Sequence, residues 1–161
     1  MLVDVRRFPG SRKYPHFNKE ALEQSLKDQG LNYLHMPGLG GRRKGAKDSG
    51  NTVWRNTSFR AYADYMETRE FEKSAEELLG FALEKNTCIM CSEAVWWRCH
   101  RSMISDYFKS KDWKVLHILS GTKTEEHPYT KAASIVRGQL EYGAMPSPPA
   151  KFNLHAFLLC L

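Results

Sequence analysis

The sequence predicts an α/β domain: three layers, with a mostly parallel central sheet of Rossmann-like type and flanking helices. Three observations predict it. Short apolar, β-prone segments alternate with segments of helical period in the order strand, helix, strand, helix, strand, helix, strand, the connectivity of a parallel sheet. The 161 residues suffice for one domain with its own core. Segments rich in glycine, arginine or cysteine follow three of the four strands, where open α/β sheets bind their ligands.

The elements follow in chain order. Leu2-Val3-Asp4-Val5 is a β-prone start, and Pro9 and Gly10 end it, so Arg6 to Ser11 forms a loop at the strand's carboxyl end. Ala21, Leu22 and Leu26 recur at helical spacing within Asn18–Gln29, with Asn18 as N-cap and Gly30 as the residue past the C-cap. Leu31 to Met36 alternates as a second strand. Residues 38–58 have no sustained period and form a long loop, which inside a compact domain points to function or mobility. Helices are expected over Phe59–Met66 and Glu70–Leu83, the second burying Phe71, Ala75, Leu78, Leu79 and Ala82 on one face. Thr87 to Cys91 is a buried strand, Cys99 to Ser110 a helix, and Lys114 to Leu119 the fourth strand. A further helix is expected over Thr130–Tyr142. The domain then ends at residue 143, with a Pro-rich tether over 145–150 and an apolar tail over 152–161 that docks on the body, pairs with another chain or is foreign to the fold.

Composition narrows the function classes. With 42% hydrophobic and 26% charged residues, the chain is neither disordered, collagen-like nor coiled coil. No apolar run reaches the roughly 18–20 residues of a membrane span, and the start lacks a signal peptide, so a cytoplasmic protein without membrane partners is expected. The net charge of +6 is uneven: residues 1–60 carry 12 Lys/Arg against 5 Asp/Glu, and the remainder 12 against 13. Such a basic segment suits nucleic acid or an anionic small molecule. Of the four cysteines, Cys88, Cys91 and Cys99 fall within twelve residues, a spacing that suggests site chemistry rather than a disulfide framework.

The segment Cys91 to Ser102 is chemically the richest. It joins a strand to a helix, so Cys99, His100 and Arg101 lie near a helix N-terminus, where backbone N–H groups favour anions and thiolates. Cys99 is the candidate nucleophile, with His100 beside it and Glu93 as general acid or base. The alternative is that Cys91 and Cys99 are small buried residues, His100 caps the helix and Glu93 pairs with an arginine. Anion-binding candidates are Arg6 and Ser11 from the first loop, Gly40, Gly41, Arg42 and Arg43 from the second, and Arg101 from the third. The glycine-rich loop matches neither the P-loop nor the dinucleotide fingerprint. Asp4 is a second acid or a structural hydrogen-bonding group. Tyr14, His16, Trp54, Trp96 and Trp97 could stack on a base, and His117 reads as a satisfied core histidine.

A metal is weighed and not expected. Cys88 and Cys91 flank an apolar pair in a strand and would point apart, and adjacent Cys99 and His100 are unlike the spaced ligand pairs of zinc fingers. The deaminase arrangement is also absent.

The ordered set Asp4-Val5-Arg6 with Pro9 and Ser11, Leu39-Gly40-Gly41-Arg42, Phe59, Tyr62 and Met66, Cys91-x-Glu93 with Cys99-His100-Arg101, His127-Pro128-x-Thr130 and Gly138-x-Leu140-x-Tyr142 resembles the domain-of-unknown-function 488 family over residues 1–143. Cys88 lies outside that pattern. The resemblance implies a fold and a site, and carries no activity or cofactor. The Asp-Val-Arg opening is superficially similar to rhodanese domains, but the cysteine-to-arginine spacing of their cradle loop is missing, which argues against a sulfurtransferase or cysteine phosphatase. The expectation is therefore a small α/β enzyme acting on a nucleotide or nucleic-acid-like anion at the strand ends. The alternatives are a non-catalytic nucleic-acid-binding module using the basic first 60 residues, and an interaction protein using the tail.

Overall fold

The computed structural model describes residues 1–143 and, as backbone alone, 157–160. In chain order its elements are β1 (Leu2–Asp4), α1 (Lys19–Asp28), β2 (Tyr33–His35), α2 (Thr57–Met66), α3 (Arg69–Glu84), β3 (Cys88–Met90), α4 (Arg101–Ser110), β4 (Lys114–Ser120), β5 (Lys123–Glu126), β6 (Ser134–Val136), β7 (Gln139–Glu141) and β8 (Phe157–Cys160). Single 3-10 turns lie at Pro15–Phe17, Pro37–Leu39 and Trp96–Arg98. The architecture is α/β.

In the main sheet the order is β2-β1-β3-β8-β4-β5, parallel throughout except for β5, which pairs antiparallel with β4. β1 lies between two parallel neighbours, Val3 opposite Leu34 on one side and Ile89 on the other. Both Val3 and Ile89 are fully buried, which is why these strands read as apolar runs rather than as alternating ones. β8 belongs to the apolar tail: its backbone pairs with β3 and β4, so this part of the tail docks on the body. The Pro-rich stretch at 145–150 lies outside the described residues.

Helix boundaries follow local chemistry. Asn56 caps α2 by accepting from the Ser58 and Phe59 amides, and the Thr68 hydroxyl accepts from the Phe71 amide at the start of α3. The expected face of α3 is buried at Phe71, Ala75 and Leu78. Gly30 sits past the end of α1 at φ +70°, a left-handed position that favours glycine. Asn18 stands at the N-cap position of α1 as expected, but its side chain makes no capping bond: it accepts from the Ser11 amide at 2.6 Å and holds the first loop instead. The long loop is held by carboxylates, Glu67 accepting from the Asn51 side-chain amide and Asp64 from three groups. Asp64 on α2 accepts from the Ala46 amide, the Ser49 hydroxyl and the Asn51 side-chain amide.

No helix forms over Thr130–Tyr142. The segment instead forms the β6–β7 hairpin, with Val136 opposite Gln139 and Ile135 opposite Leu140. Its two-residue turn is Arg137-Gly138, at φ +51° and +80°. Positive φ at both central positions matches the twist of a tight hairpin, and Gly138 takes it without strain.

Below β4 and β5 a buried polar chain ties the last third of the described chain to α4. Asp106 accepts from the Thr130 amide (2.8 Å), the Thr130 hydroxyl (2.7 Å), the Tyr142 hydroxyl (3.0 Å) and His127 Nε2 (3.0 Å). His127 Nδ1 then accepts from His117 Nε2 at 2.8 Å. His117 is therefore only half satisfied: its Nδ1 is buried without a hydrogen-bond partner, and burial, with His127 beside it, pulls its pKa down to about 3. A neutral ring leaves a lone pair there rather than an unpaired N–H. Trp96 lies flat against this ring, centroids 4.1 Å apart.

Removing the Asp106 carboxylate strips several buried donors of their acceptor, at about 1–3 kcal/mol each and with partial relaxation. Asp106→Ala is expected to lower the free energy of unfolding by about 3–5 kcal/mol in urea titrations, the range for breaking a buried charged network. Less than about 1 kcal/mol would mean that this network does not hold the hairpin and β5 in place.

Candidate functional site

The segments that follow β1, β2 and β3 converge on one cavity of about 230 Å³. Its walls are Arg6 to Phe8 after β1, Gly41 and Arg42 after the 3-10 turn that follows β2, Cys91 to Glu93 after β3, Arg98 to His100 before α4, and Ser58, Phe59 and Tyr62 from α2. Parallel strands bring their carboxyl ends to one edge, so three loops distant in sequence become neighbours.

Three of the four arginines expected to bind an anion, Arg6, Arg43 and Arg101, are already held by groups of the protein itself. Asp4 is fully buried and accepts from Arg6 Nε at 2.8 Å and Nη2 at 2.5 Å, from the Arg6 amide at 3.0 Å, and from the Tyr33 hydroxyl at 2.7 Å. Its oxygens are taken up by these structural contacts, and it is absent from the cavity wall. The hydrogen bond to Asp4 holds the Arg6 guanidinium above its ordinary pKa, and burial lifts the Tyr33 hydroxyl with it. Arg43 lies outside the cavity wall. It donates to the carbonyls of Gly40, Pro37 and Gly38 at 2.8–2.9 Å and stacks 3.5 Å over the Tyr65 ring. Ser11 also lies away, its hydroxyl accepting from the Tyr14 amide. The arginines that line the cavity without a carboxylate partner among the described residues are Arg7, Arg42 and Arg98. Arg42 holds its position at φ +56°.

Gly40 and Gly41 are needed for close approach. A Cβ on Gly40 would come within 2.9 Å of the Arg7 backbone, and one on Gly41 within 3.0 Å of His100 Nδ1. The second loop therefore packs backbone-first against the first and third.

At the back of the cavity stand two sulfurs and an imidazole. Cys99 Sγ lies 3.6 Å from His100 Nδ1, and the sulfurs of Cys91 and Cys99 with a His100 ring nitrogen all fall within 4.8 Å of one another. Cys99 is buried, whereas Cys91 is half-buried on the cavity wall. The Cys99 thiol donates toward Cys91, and this bond pulls the Cys91 pKa down while pushing that of Cys99 up. Cys91 is therefore the more accessible of the two sulfurs and the one whose pKa is lowered, whereas the sequence singles out Cys99. Arg101 is fully buried. It donates from Nε to Cys99 Sγ at 3.4 Å and from Nη2 to the Glu93 carbonyl, so it supports the sulfurs and does not reach an anion in the cavity.

His100 occupies the N-cap position of α4, but its side chain makes no capping bond there. Its Nε2–H donates to the Val5 carbonyl at 3.2 Å, and desolvation lowers its pKa to about 4. A neutral ring with Nε2 protonated carries its lone pair on Nδ1, toward Cys99. The Glu93 side chain is exposed on the cavity wall. Of the aromatics expected to stack on a base, Tyr14, His16, Trp54, Trp96 and Trp97 are all absent from the wall. Trp54 packs on Phe59 and Trp96 on His117. The aromatic rings of the wall are Phe8, 65% exposed, Phe59 and Tyr62. Ser58, Phe59 and Tyr62 come from α2, whose place beside the strand ends has no signature in the sequence.

The close packing of the second loop gives a paired test. Gly40→Ala is expected to cost about 1–3 kcal/mol by forcing backbone apart, whereas Gly50→Ala, with nothing within 4 Å of the added carbon, should stay within about 0.5 kcal/mol of wild type. Equal effects in chemical denaturation would refute the close approach.

No curated protein and no solved structure matches the chain. The model of the family described as "domain of unknown function DUF488" matches residues 1–108. That stretch holds β1 to β3, the arginine-bearing loops, both cavity cysteines and most of α4, and the chain belongs to this family.

Proposed function

We propose that the protein is a small α/β enzyme acting on an anionic, nucleotide or nucleic-acid-like substrate in this cavity, with a three-layer Rossmann-like sheet presenting it. The observation that carries this reading is the half-buried Cys91 thiol on a wall shared with Arg7, Arg42 and Arg98. Guanidinium groups bind phosphate oxygens in pairs and hold charge near the reacting atom. Cys91 Sγ attacks the electrophilic centre and the bond to the leaving group breaks. The leaving group takes its proton from solvent; water, giving its proton to the Glu93 carboxylate, then cleaves the bond to Cys91 and restores the free sulfur, while Arg101 and Cys99 support that sulfur from behind. His100, neutral and tied to Val5, positions the sulfurs instead of exchanging protons.

Iodoacetamide should label Cys91 ahead of Cys88 and Cys99 in the folded chain, as read by peptide mass spectrometry. Labelling that starts at Cys99 would overturn the choice of Cys91 as nucleophile. In titrations with inorganic phosphate and nucleoside phosphates, Arg42→Ala and Arg98→Ala should each weaken binding by about 10- to 100-fold, the loss expected for one charge-assisted contact. Unchanged affinity in both variants would remove the anion site.

A second reading has its own observation. Arg12, Lys13, Lys44 and Lys47 are exposed and lie outside the cavity wall. They suit a nucleic-acid backbone that a small ligand would not reach. On that reading, affinity for a single-stranded oligonucleotide falls with salt at a log–log slope of about −0.7 per neutralised phosphate. Salt-independent or absent binding leaves the small anionic substrate.

A further inference from the structure

The back of the cavity has a second capability, in binding rather than in attack. We propose that Cys91, Cys99 and His100 form a three-ligand site for a thiophilic divalent cation of the zinc class, its fourth position open to the cavity, and that an occupied site silences the Cys91 thiolate. The binding site stands on its own geometry. Only the silencing rests on the reading of Cys91 as nucleophile.

The spacing is right for the ion. With bonds of about 2.3 Å to sulfur and about 2.0–2.1 Å to nitrogen, tetrahedral zinc sets its ligand atoms about 3.6–3.8 Å apart. Cys99 Sγ and His100 Nδ1 already stand at 3.6 Å, and all three ligand atoms lie within 4.8 Å. The outer contacts also match. Metal-bound imidazoles donate their second N–H to a carbonyl or carboxylate, which fixes the tautomer and aims the free nitrogen at the ion. His100 does this through Val5, and Gly41 leaves its Nδ1 side open where a Cβ would stand at 3.0 Å. Three protein ligands with a vacant position is the pattern of reactive rather than structural zinc. Cys88 is not part of the cluster, so the ligands are not the four that the Cys-x-x-Cys spacing would suggest.

Charge supports the same conclusion. Arg101 is a fully buried cation whose hydrogen bonds go to a sulfur and a carbonyl, with no carboxylate partner among the described residues. A guanidinium in that position favours negative sulfur beside it. When the ion binds, any proton remaining on the two thiols passes to solvent. Two thiolates then cancel the divalent cation, and Arg101 leaves one positive charge for an anion at the open position. An occupied site still accepts anions while its Cys91 sulfur is no longer free to attack.

The test uses the full chain, reduced and freed of metal by a chelator, titrated with Co²⁺ alone. Binding of one equivalent should give a thiolate-to-cobalt charge-transfer band and the intense visible bands of tetrahedral cobalt. Cys99→Ser and His100→Ala should each weaken binding by more than about tenfold, at least matching the loss of an outer-sphere partner, and Cys88→Ser should leave it unchanged. Should a variant fail to fold, the wild-type chain decides the point: saturating Zn²⁺ should protect Cys91 from iodoacetamide. No charge-transfer band, a band that persists in all the variants, or unprotected Cys91 overturns the site. If cobalt binds as expected but phosphate and nucleoside phosphates do not bind at all, the metal site stands and the anionic-substrate reading falls. The reverse pattern separates the two the other way.

Discussion

Buried at the carboxyl end of β1, the Asp4 carboxylate meets the Arg6 guanidinium, the Arg6 amide and the Tyr33 hydroxyl, and the geometry of the cavity depends on that cluster. A carboxylate with no solvent exposure is stable only when paired and hydrogen-bonded, so the chain must turn sharply after the strand to bring Arg6 back onto it. That turn lets Arg6 Nη1 donate to the Phe17 carbonyl and His35 Nε2 donate to the Arg6 carbonyl. The first loop is thereby anchored to β2 and to the start of α1. It also presents the Val5 carbonyl to His100, linking the opening of the chain to the segment that carries the sulfurs.

How much of this was legible in the sequence depended on whether a residue's role was set by its neighbours along the chain. The first four strands and the helices before β4 follow from apolar spacing and from Gly30, Pro9 and Pro37, because burial on a sheet or helix face imposes a period that a single sequence displays. The convergence of three loops followed from parallel pairing alone. Pairing across the sheet was not legible. Arg43 resembles every other cation in its loop, and only the fold shows it stacked on Tyr65 and bonded to three carbonyls. Cys91 and Cys99 are chemically identical in the sequence, and burial differentiates them. The Arg137-Gly138 turn was present in the residues, but the surrounding apolar spacing also fitted a helix. Phe59 and Tyr62 reach the cavity from a helix whose position is fixed by core packing of the Tyr62 and Phe71 rings.

Two buried charge systems divide the work of the domain. Asp4 with Arg6 fixes the strand ends, and Asp106 with His127, Thr130 and Tyr142 fixes the opposite end of α4 against the hairpin. Between them lies Arg101 at the N-terminus of α4, its charge met, among the described residues, by a sulfur and a carbonyl. Trp96 ties the third loop to the β4–β5 edge: its indole N–H donates to Glu125 on β5 and its ring covers His117, while Arg98 to His100, further along the same segment, line the cavity. A shift of the segment from 91 to 100 would therefore be felt at the β4–β5 edge.

The cavity is built in two tiers of unequal constraint. Its floor, with Cys99 and Arg101 buried and His100 half-buried, is tied to the Val5 carbonyl just after β1 and to the third loop, so a substitution there disturbs the core. Its rim, Phe8, Arg42 and Arg98, is exposed and rests on loop backbone. Mutational drift is cheap at the rim and costly at the floor. Over evolutionary time, such a domain can change the groups at its rim while keeping the sulfurs and imidazole beneath, and on the proposed reading related chains that share the floor need not share a substrate.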